Sequence, residues 1–325
     1  MVIVAIAGGT GGVGRTIIDA IKASGQHEAV VLSRTADAAS SMKYPKLAVN
    51  YENVDELRNI LQQNNVEVVI STLLLSSETV ARAQLNLIRA ASQTSTVKRF
   101  IPSEFYIDFN VPIPGSSHLA THQVAAEKEL DLHPNLTYTL LRCGIFLDHL
   151  AMPHDPKPTH IAPFWCFVDM DAEQCVIPGD GDYPLVLSHS TDVAQYIEKL
   201  IGLPAIDWPR ESLVASNRIL VKDLPGIVAR ATGKEFKVAV DHADHIREHR
   251  ITPLPSNKAI FDDPDRGDEM REVELQVMLS MLSRAHDLPG ENLGEVFPGV
   301  KQTNIEEFLR AGWEIKVEGK KAETC

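Results

Sequence analysis

The chain has 325 residues, 44% of them hydrophobic, enough to bury a dinucleotide-sized domain of about 150 residues and a second lobe. Its net charge is −13 with Lys and Arg scattered, which speaks against partners read by a basic stripe, nucleic acid or an anionic membrane. No apolar run reaches the roughly 20 residues that span a bilayer, and the first strand begins at residue 2 without a basic leader, so a cytoplasmic protein is expected.

The opening stretch "MVIVAIAGGTGGVGR" sets an apolar strand, Val2 to Ala7, before a glycine-rich turn and the apolar-periodic helix "VGRTIIDAIKASG". Strand, glycines and helix in that order are what a dinucleotide pyrophosphate needs. Gly8 permits the tight turn, Gly11 lets the backbone approach the phosphates, and Gly14 lets the helix lie close to the strand. The helix N-terminus adds unpaired N–H groups and a positive dipole end. The second strand, "EAVVLSR", ends at Arg34, where an NAD-preferring site places Asp or Glu for the ribose 2′-hydroxyl. A guanidinium binds a 2′-phosphate instead, so NADP(H) is the expected cofactor, with Ser33 and Thr35 adding hydroxyl contacts.

Strand and helix patterns go on alternating. "KLAVNY" reads as a strand, and "NVDELRNILQQNN" as a helix that starts at an Asn cap. "VEVVIS" is a buried strand, "SETVARAQLNLIRAASQT" a helix and "VKRFIPSEF" a fifth strand. "HQVAAEKELDL" and "LTYTLLRCGIF" follow as the fourth helix and sixth strand. This alternation predicts an α/β fold: a Rossmann doubly wound parallel sheet with right-handed crossovers over residues 1–150, binding the cofactor across its carboxyl edge.

Residues 151–325 read as a smaller α+β substrate lobe, with some segments returning to the Rossmann sheet. "AMPHDPKPTHIAPF" is proline-rich and predicts a linker or a loop over the site. "WCFVDMDAEQCVIPGDGDYPLVLSH" predicts short strands, "STDVAQYIEKLIG" a capped helix, and "VKDLPGIVARATGKEFKVAV" a helix then a strand. "DDPDRGDEM" reads as an acidic loop before the helix "REVELQVMLSMLSRAHDL". Cys143, Cys166, Cys175 and Cys325 are too few and too irregular for a disulfide framework and read as buried thiols. His242, His245 and His249 lack further ligands nearby and read as a solvated helix, so no metal is expected.

Several pieces together resemble the NmrA-like and isoflavone-reductase-like branch of the atypical short-chain dehydrogenases. They are "GGTGGVG", Arg34 closing the second strand, "RFIPSEF", "LLRCGIF", "GDGDYPLVLSHSTDVAQYI" and "TNIEEFL", and the match spans most of the chain. The resemblance implies that Gly8, Thr10, Gly11, Gly12, Val13 and Gly14 line the pyrophosphate and that Ser33, Arg34 and Thr35 surround the 2′-phosphate. It implies Thr72 and Leu73 on the adenosine side, with Ser103, Glu104, Phe105, Cys143, Gly144 and Ile145 around the nicotinamide ribose.

The catalytic pattern departs from that family. Tyr-x-x-x-Lys is absent, since Tyr106 and Tyr138 are followed four residues later by Asn110 and Arg142. Isoflavone-type reductases use a lysine near the start of the helix after the "SEF" segment; here Thr121, His122 or Gln123 occupies that place. Lys128 lies roughly 8–9 Å further along the helix and cannot simply substitute. His122 becomes the acid/base candidate, because an imidazole exchanges protons near neutrality. Glu104, and more weakly His118, His149 and the pair Asp169 and Asp171, are further candidates. Phe164, Trp165 and Phe167 are candidates for an aromatic wall on the substrate side.

The expected function is an NADP(H)-dependent oxidoreductase acting, as a monomer or homodimer, on a bulky hydrophobic or aromatic small molecule of secondary metabolism. Two alternatives stand beside it. One is a redox-coupled cyclase or isomerase with no net cofactor consumption; the other is a non-catalytic NADP-sensing regulator.

Overall fold

Val4 and Ile6 of the first strand point to one side of a sheet while Ala5 and Ala7 point to the other, and both sides are covered. The computed structural model describes residues 1–35, 44–115 and 120–323. The first part of the chain runs β1 (Ile3–Ala7), α1 (Gly12–Ser24), β2 (Glu28–Ser33), β3 (Lys46–Ala48), α2 (Val54–Gln63), β4 (Val68–Ser71), α3 (Glu78–Ser92), β5 (Arg99–Ile101), α4 (Thr121–Asp131) and β6 (Thr137–Tyr138). The six strands form one parallel sheet in the order β3-β2-β1-β4-β5-β6. This order reverses between β1 and β4, the crevice where such sheets bind nucleotides.

Helix caps sit where the sequence sets them. Asn53 accepts from the Glu56 N–H at the start of α2, and Ser77 accepts from the Val80 N–H at the start of α3. Leu57 and Leu61 of α2, Leu87 and Ile88 of α3 and Leu130 of α4 cover one face of the sheet. Ile17, Ile18 and Ile21 of α1 cover the other.

The predicted sixth strand is three short strands in three different sheets. After β6 come β7 (Leu140–Arg142) and β8 (Ile145–Phe146); only β6 pairs with β5. Thr139 separates the first two strands, its Oγ1 held 2.7 Å from Ser212 Oγ. Gly144, at φ +66°, turns the chain between the second and third. Hydrophobic periodicity reports burial but not these changes of partner.

Beyond the proline-rich segment come β9 (Val168–Asp169), β10 (Gln174–Pro178), β11 (Pro184–Ser188), α5 (Ser190–Ile201), β12 (Glu211–Leu213), β13 (Asn217–Leu220), α6 (Leu224–Thr232) and β14 (Lys237–Asp241). The chain ends through α7 (Ala243–Arg247), α8 (Lys258–Phe261), α9 (Gly267–Leu282), β15 (Glu291–Asn292), α10 (Leu293–Val296) and α11 (Ile305–Glu323). Three small sheets, β14-β10-β9, β13-β11-β8 and β15-β12-β7, organise this half. Val193, Ile197 and Ile201 of α5 join the α1 face of the parallel sheet.

The acidic stretch before the last long internal helix is partly helical itself. Helix α9 begins at Gly267, so Asp268 and Glu269 occupy its first turn, where carboxylates favour the positive dipole end. Among the described residues, no helix is long and apolar enough to cross a membrane.

Candidate active site

The glycine turn is built as its sequence demands. Gly8 adopts φ +77°, and a Cβ there would lie 2.5 Å from the Thr72 carbonyl oxygen. The Gly11 N–H donates to Gly8 O at 2.9 Å, closing the turn. A Cβ on Gly14 would stand 2.7 Å from Gly8 O and from Gly9 Cα, so α1 lies close against the turn. Thr10 and Gly11 are exposed, and Gly12 and Val13 are half-buried. No side chain caps α1 and its first turn carries no acid, so its N-terminus remains fit for an anion.

The carboxyl ends of the neighbouring strands complete the rim. Ser33 ends β2 half-buried, and Arg34 and Thr35 follow it exposed. Thr72 donates to Ala7 O from both its N–H and its Oγ1, each at 2.8 Å, which ties the end of β4 to the end of β1. Ser103 Oγ donates to Leu73 O at 2.8 Å, carrying the same edge on past β5. Phe105 sits in the left-handed region at φ 43°, unusual for an aromatic residue. It is held there because its N–H donates to Leu141 O and its carbonyl accepts from the Cys143 thiol, both at 3.1 Å. The Gly144 N–H donates to Tyr106 O at 2.9 Å, and Ile145 is buried. Burial pushes the Cys143 thiol up, so it stays protonated.

Glu104 is buried against a shared cation. Fully buried Arg142 lies 2.7 Å from Glu211 Oε1, 3.1 Å from Asp108 Oδ1 and 3.8 Å from Glu104 Oε2. One guanidinium serves three carboxylates, and Glu104 is the most distant. Its Oε2 makes no hydrogen bond, and burial pushes its pKa up to about 8 although Arg142 pulls the other way. Glu104 therefore carries a proton at neutral pH in the folded protein and loses it in the unfolded one. The consequence for stability follows from the proton balance: between the ordinary carboxyl pKa and about pH 8, wild-type stability falls as pH rises. Glu104→Gln removes that loss. Denaturant unfolding from pH 4 to 9 is expected to show the Gln variant gaining on wild type up to about pH 8 and levelling beyond it. A difference independent of pH would mean that Glu104 is ionised throughout.

His122 is the second residue of α4, half-buried and without a hydrogen bond to another described residue; Lys128 on the same helix is exposed. His149 is tied to Phe164 O at 2.9 Å. Asp169 is buried and accepts from Ser256 N and Oγ, while Asp171 is exposed beside His154, so these two carboxylates serve separate local contacts. Phe164 and Phe167 lie in the core of the C-terminal half rather than on an open wall, and Trp165 is half-buried with its indole N–H on Met152 O. Cys166 and Cys175 are buried free thiols. His118 and Cys325 lie outside the described residues.

One feature of the site is invisible to motif reading. The proline-rich segment crosses the glycine turn, where a Cβ on Gly12 would lie 2.6 Å from His160 O. The His160 ring fixes it by pairing with Asp19 of α1 at 2.7 Å.

A six-stranded 3-2-1-4-5-6 sheet with a glycine turn at its switch point defines a dinucleotide-binding Rossmann fold. Residues 8–157 match a family described as NAD(P)H-binding. The chain is 58% identical to oxidoreductase swnN of Metarhizium robertsii, over 97% of this chain and 98% of that protein. It is 25% identical to phenylcoumaran benzylic ether reductase TP7 of Nicotiana tabacum, over 94% and 97%. Among solved structures it resembles leucoanthocyanidin reductase from Vitis vinifera bound to NADPH, with TM-score 0.70, 16% identity and coverage of 95% and 98%. The chain belongs to the isoflavone-reductase-like family of NAD(P)-dependent oxidoreductases, as its motifs imply.

Proposed function

We propose that this protein is an NADP(H)-dependent reductase of secondary metabolism acting on a bulky hydrophobic or aromatic small molecule. Arg34 carries the cofactor choice: it stands exposed directly after β2, beside the glycine turn, with Ser33 and Thr35 as hydroxyl neighbours. A bound nicotinamide supplies hydride chemistry. The chain's own residues bind and orient. The uncapped start of α1 and the turn at Gly11–Gly12 hold the pyrophosphate, Arg34 holds the 2′-phosphate, and the ends of β4, β5 and β7 fix the remaining length.

His122 is assigned the proton exchange, standing at the start of the helix that follows β5. Support for the substrate class comes from the 25% identical relative named for a phenylcoumaran benzylic ether and from a solved relative, 19% identical, bound to pinoresinol. Arg34→Ala tests the phosphate assignment. NADPH affinity is expected to fall about 10- to 100-fold, the worth of hydrogen bonds to a charged group, while NADH affinity changes less than about twofold. Equal losses for both cofactors, measured by titration calorimetry, would contradict it.

A further inference from the structure

We propose that the cleft enclosed by the loop after α7, by α8 and by the first half of α9 binds a small organic cation, an ammonium group on an apolar body, held by the carboxylate of Glu274. The cleft has a volume of about 930 Å³, within the roughly 300–1,000 Å³ of small-molecule sites. Its described lining residues run from His249 to Leu275. It therefore shares none with the cofactor rim, and the inference stands whatever substrate the nicotinamide reduces.

Apolar side chains form much of the wall: Ile251, Pro253 and Leu254 from the loop, Phe261 from α8 and Leu275 from α9. The other charged side chains around the cleft are exposed, whereas Glu274 is only 3% exposed. Asn257 hydrogen-bonds its carboxyl group, yet Oε1 is buried without a partner. A buried carboxyl oxygen left bare carries a desolvation cost that an N–H donor on a ligand removes.

The rim does not supply that donor. Arg271 pairs with Asp268 at 3.2 Å, Lys258 with Asp262, and Arg250 with Glu248. Asp241, 5% exposed at the end of β14, is a second buried carboxylate acting on Glu274, and both its oxygens are engaged by Thr252. The Cys166 thiol beside Glu274 stays protonated because it is buried. Burial, reinforced by Asp241 and opposed by Asn257, pushes the Glu274 pKa up to about 7. An ammonium on Oε1 brings both a donor and a positive charge, while its apolar body covers the wall. A neutral donor brings only the first. Because Glu274 must be ionised to hold a cation, ammonium affinity rises with pH up to about 7 and levels above it.

The test uses the whole chain saturated with NADPH, so that the dinucleotide site is filled. The background protein carries His249→Asn, which removes the imidazole from the rim. The probe is 2-phenylethylamine and its neutral match 2-phenylethanol, both titrated by calorimetry. At pH 8 the amine is expected to bind at least about tenfold more tightly than the alcohol, and Glu274→Gln to erase that preference with NADPH affinity unchanged. A second reading needs no variant at position 274. In buffers of different ionisation enthalpy, amine binding is expected to release about half a proton at pH 7 and about a tenth at pH 8. No amine binding at millimolar concentration, equal binding of amine and alcohol, a preference that survives Glu274→Gln, or no proton release at pH 7 would each overturn the proposal.

Discussion

Gly144→Ala is expected to destabilise the protein by about 3–5 kcal/mol, from the left-handed backbone penalty together with severe overpacking. The residue holds φ +66°, and an added Cβ would stand 2.0 Å from the backbone oxygen of Val186. Relief is difficult on either side. The Gly144 N–H is bonded to Tyr106 O, and the chain immediately beyond pairs Ile145 with Leu187 and Phe146 with Ser188. Moving β8 away from β11 would therefore open a sheet. Urea unfolding measures the loss directly. A change below about 1 kcal/mol would show that the turn relaxes freely and that its geometry is not imposed by the glycine.

His122→Gln is expected to slow turnover by about 10²- to 10⁴-fold, the range contributed by a positioned general acid or base. NADP(H) affinity should stay within about twofold of wild type, because the assigned role begins after the cofactor is held. The position follows from α4, which starts at Thr121 and presents His122 half-buried in its first turn, while Lys128 faces solvent. Glutamine keeps a polar side chain of comparable reach but cannot exchange a proton near neutrality. Full activity in the variant would remove His122 from the mechanism, and a large loss of cofactor affinity would recast it as a binding residue.

The glycine turn was legible in the sequence because its glycines answer local steric demands, and local demands leave local signatures. Gly8 needs its positive φ, and Gly14 leaves α1 close to the turn; both follow from the spacing that identifies them. The cap Asn53 was equally readable, since a cap acts within three residues of itself.

What escaped the sequence depends on partners distant along the chain. "LTYTLLRCGIF" has the apolar content of one strand, yet its pieces pair with β5, β12 and β11, and no periodicity encodes those choices. The crossing of Gly12 by His160 joins residues nearly 150 positions apart. Glu104 was legible as a polar residue at a strand end. Its burial, which keeps it protonated although Arg142 lies nearby, comes from tertiary packing that no local pattern records.

The central claim is that the bound nicotinamide is spent on a small-molecule substrate. The most direct measurement incubates the protein with NADPH and a panel of bulky hydrophobic and aromatic metabolites, following the nicotinamide absorbance and product mass in the same reaction. The predicted result is one NADPH oxidised for each product that gains a hydride and a proton. An isomeric product with cofactor unchanged would contradict it in favour of a redox-neutral cyclase or isomerase. No turnover across the panel, together with cofactor-dependent capture of a protein partner, would contradict it in favour of a sensor.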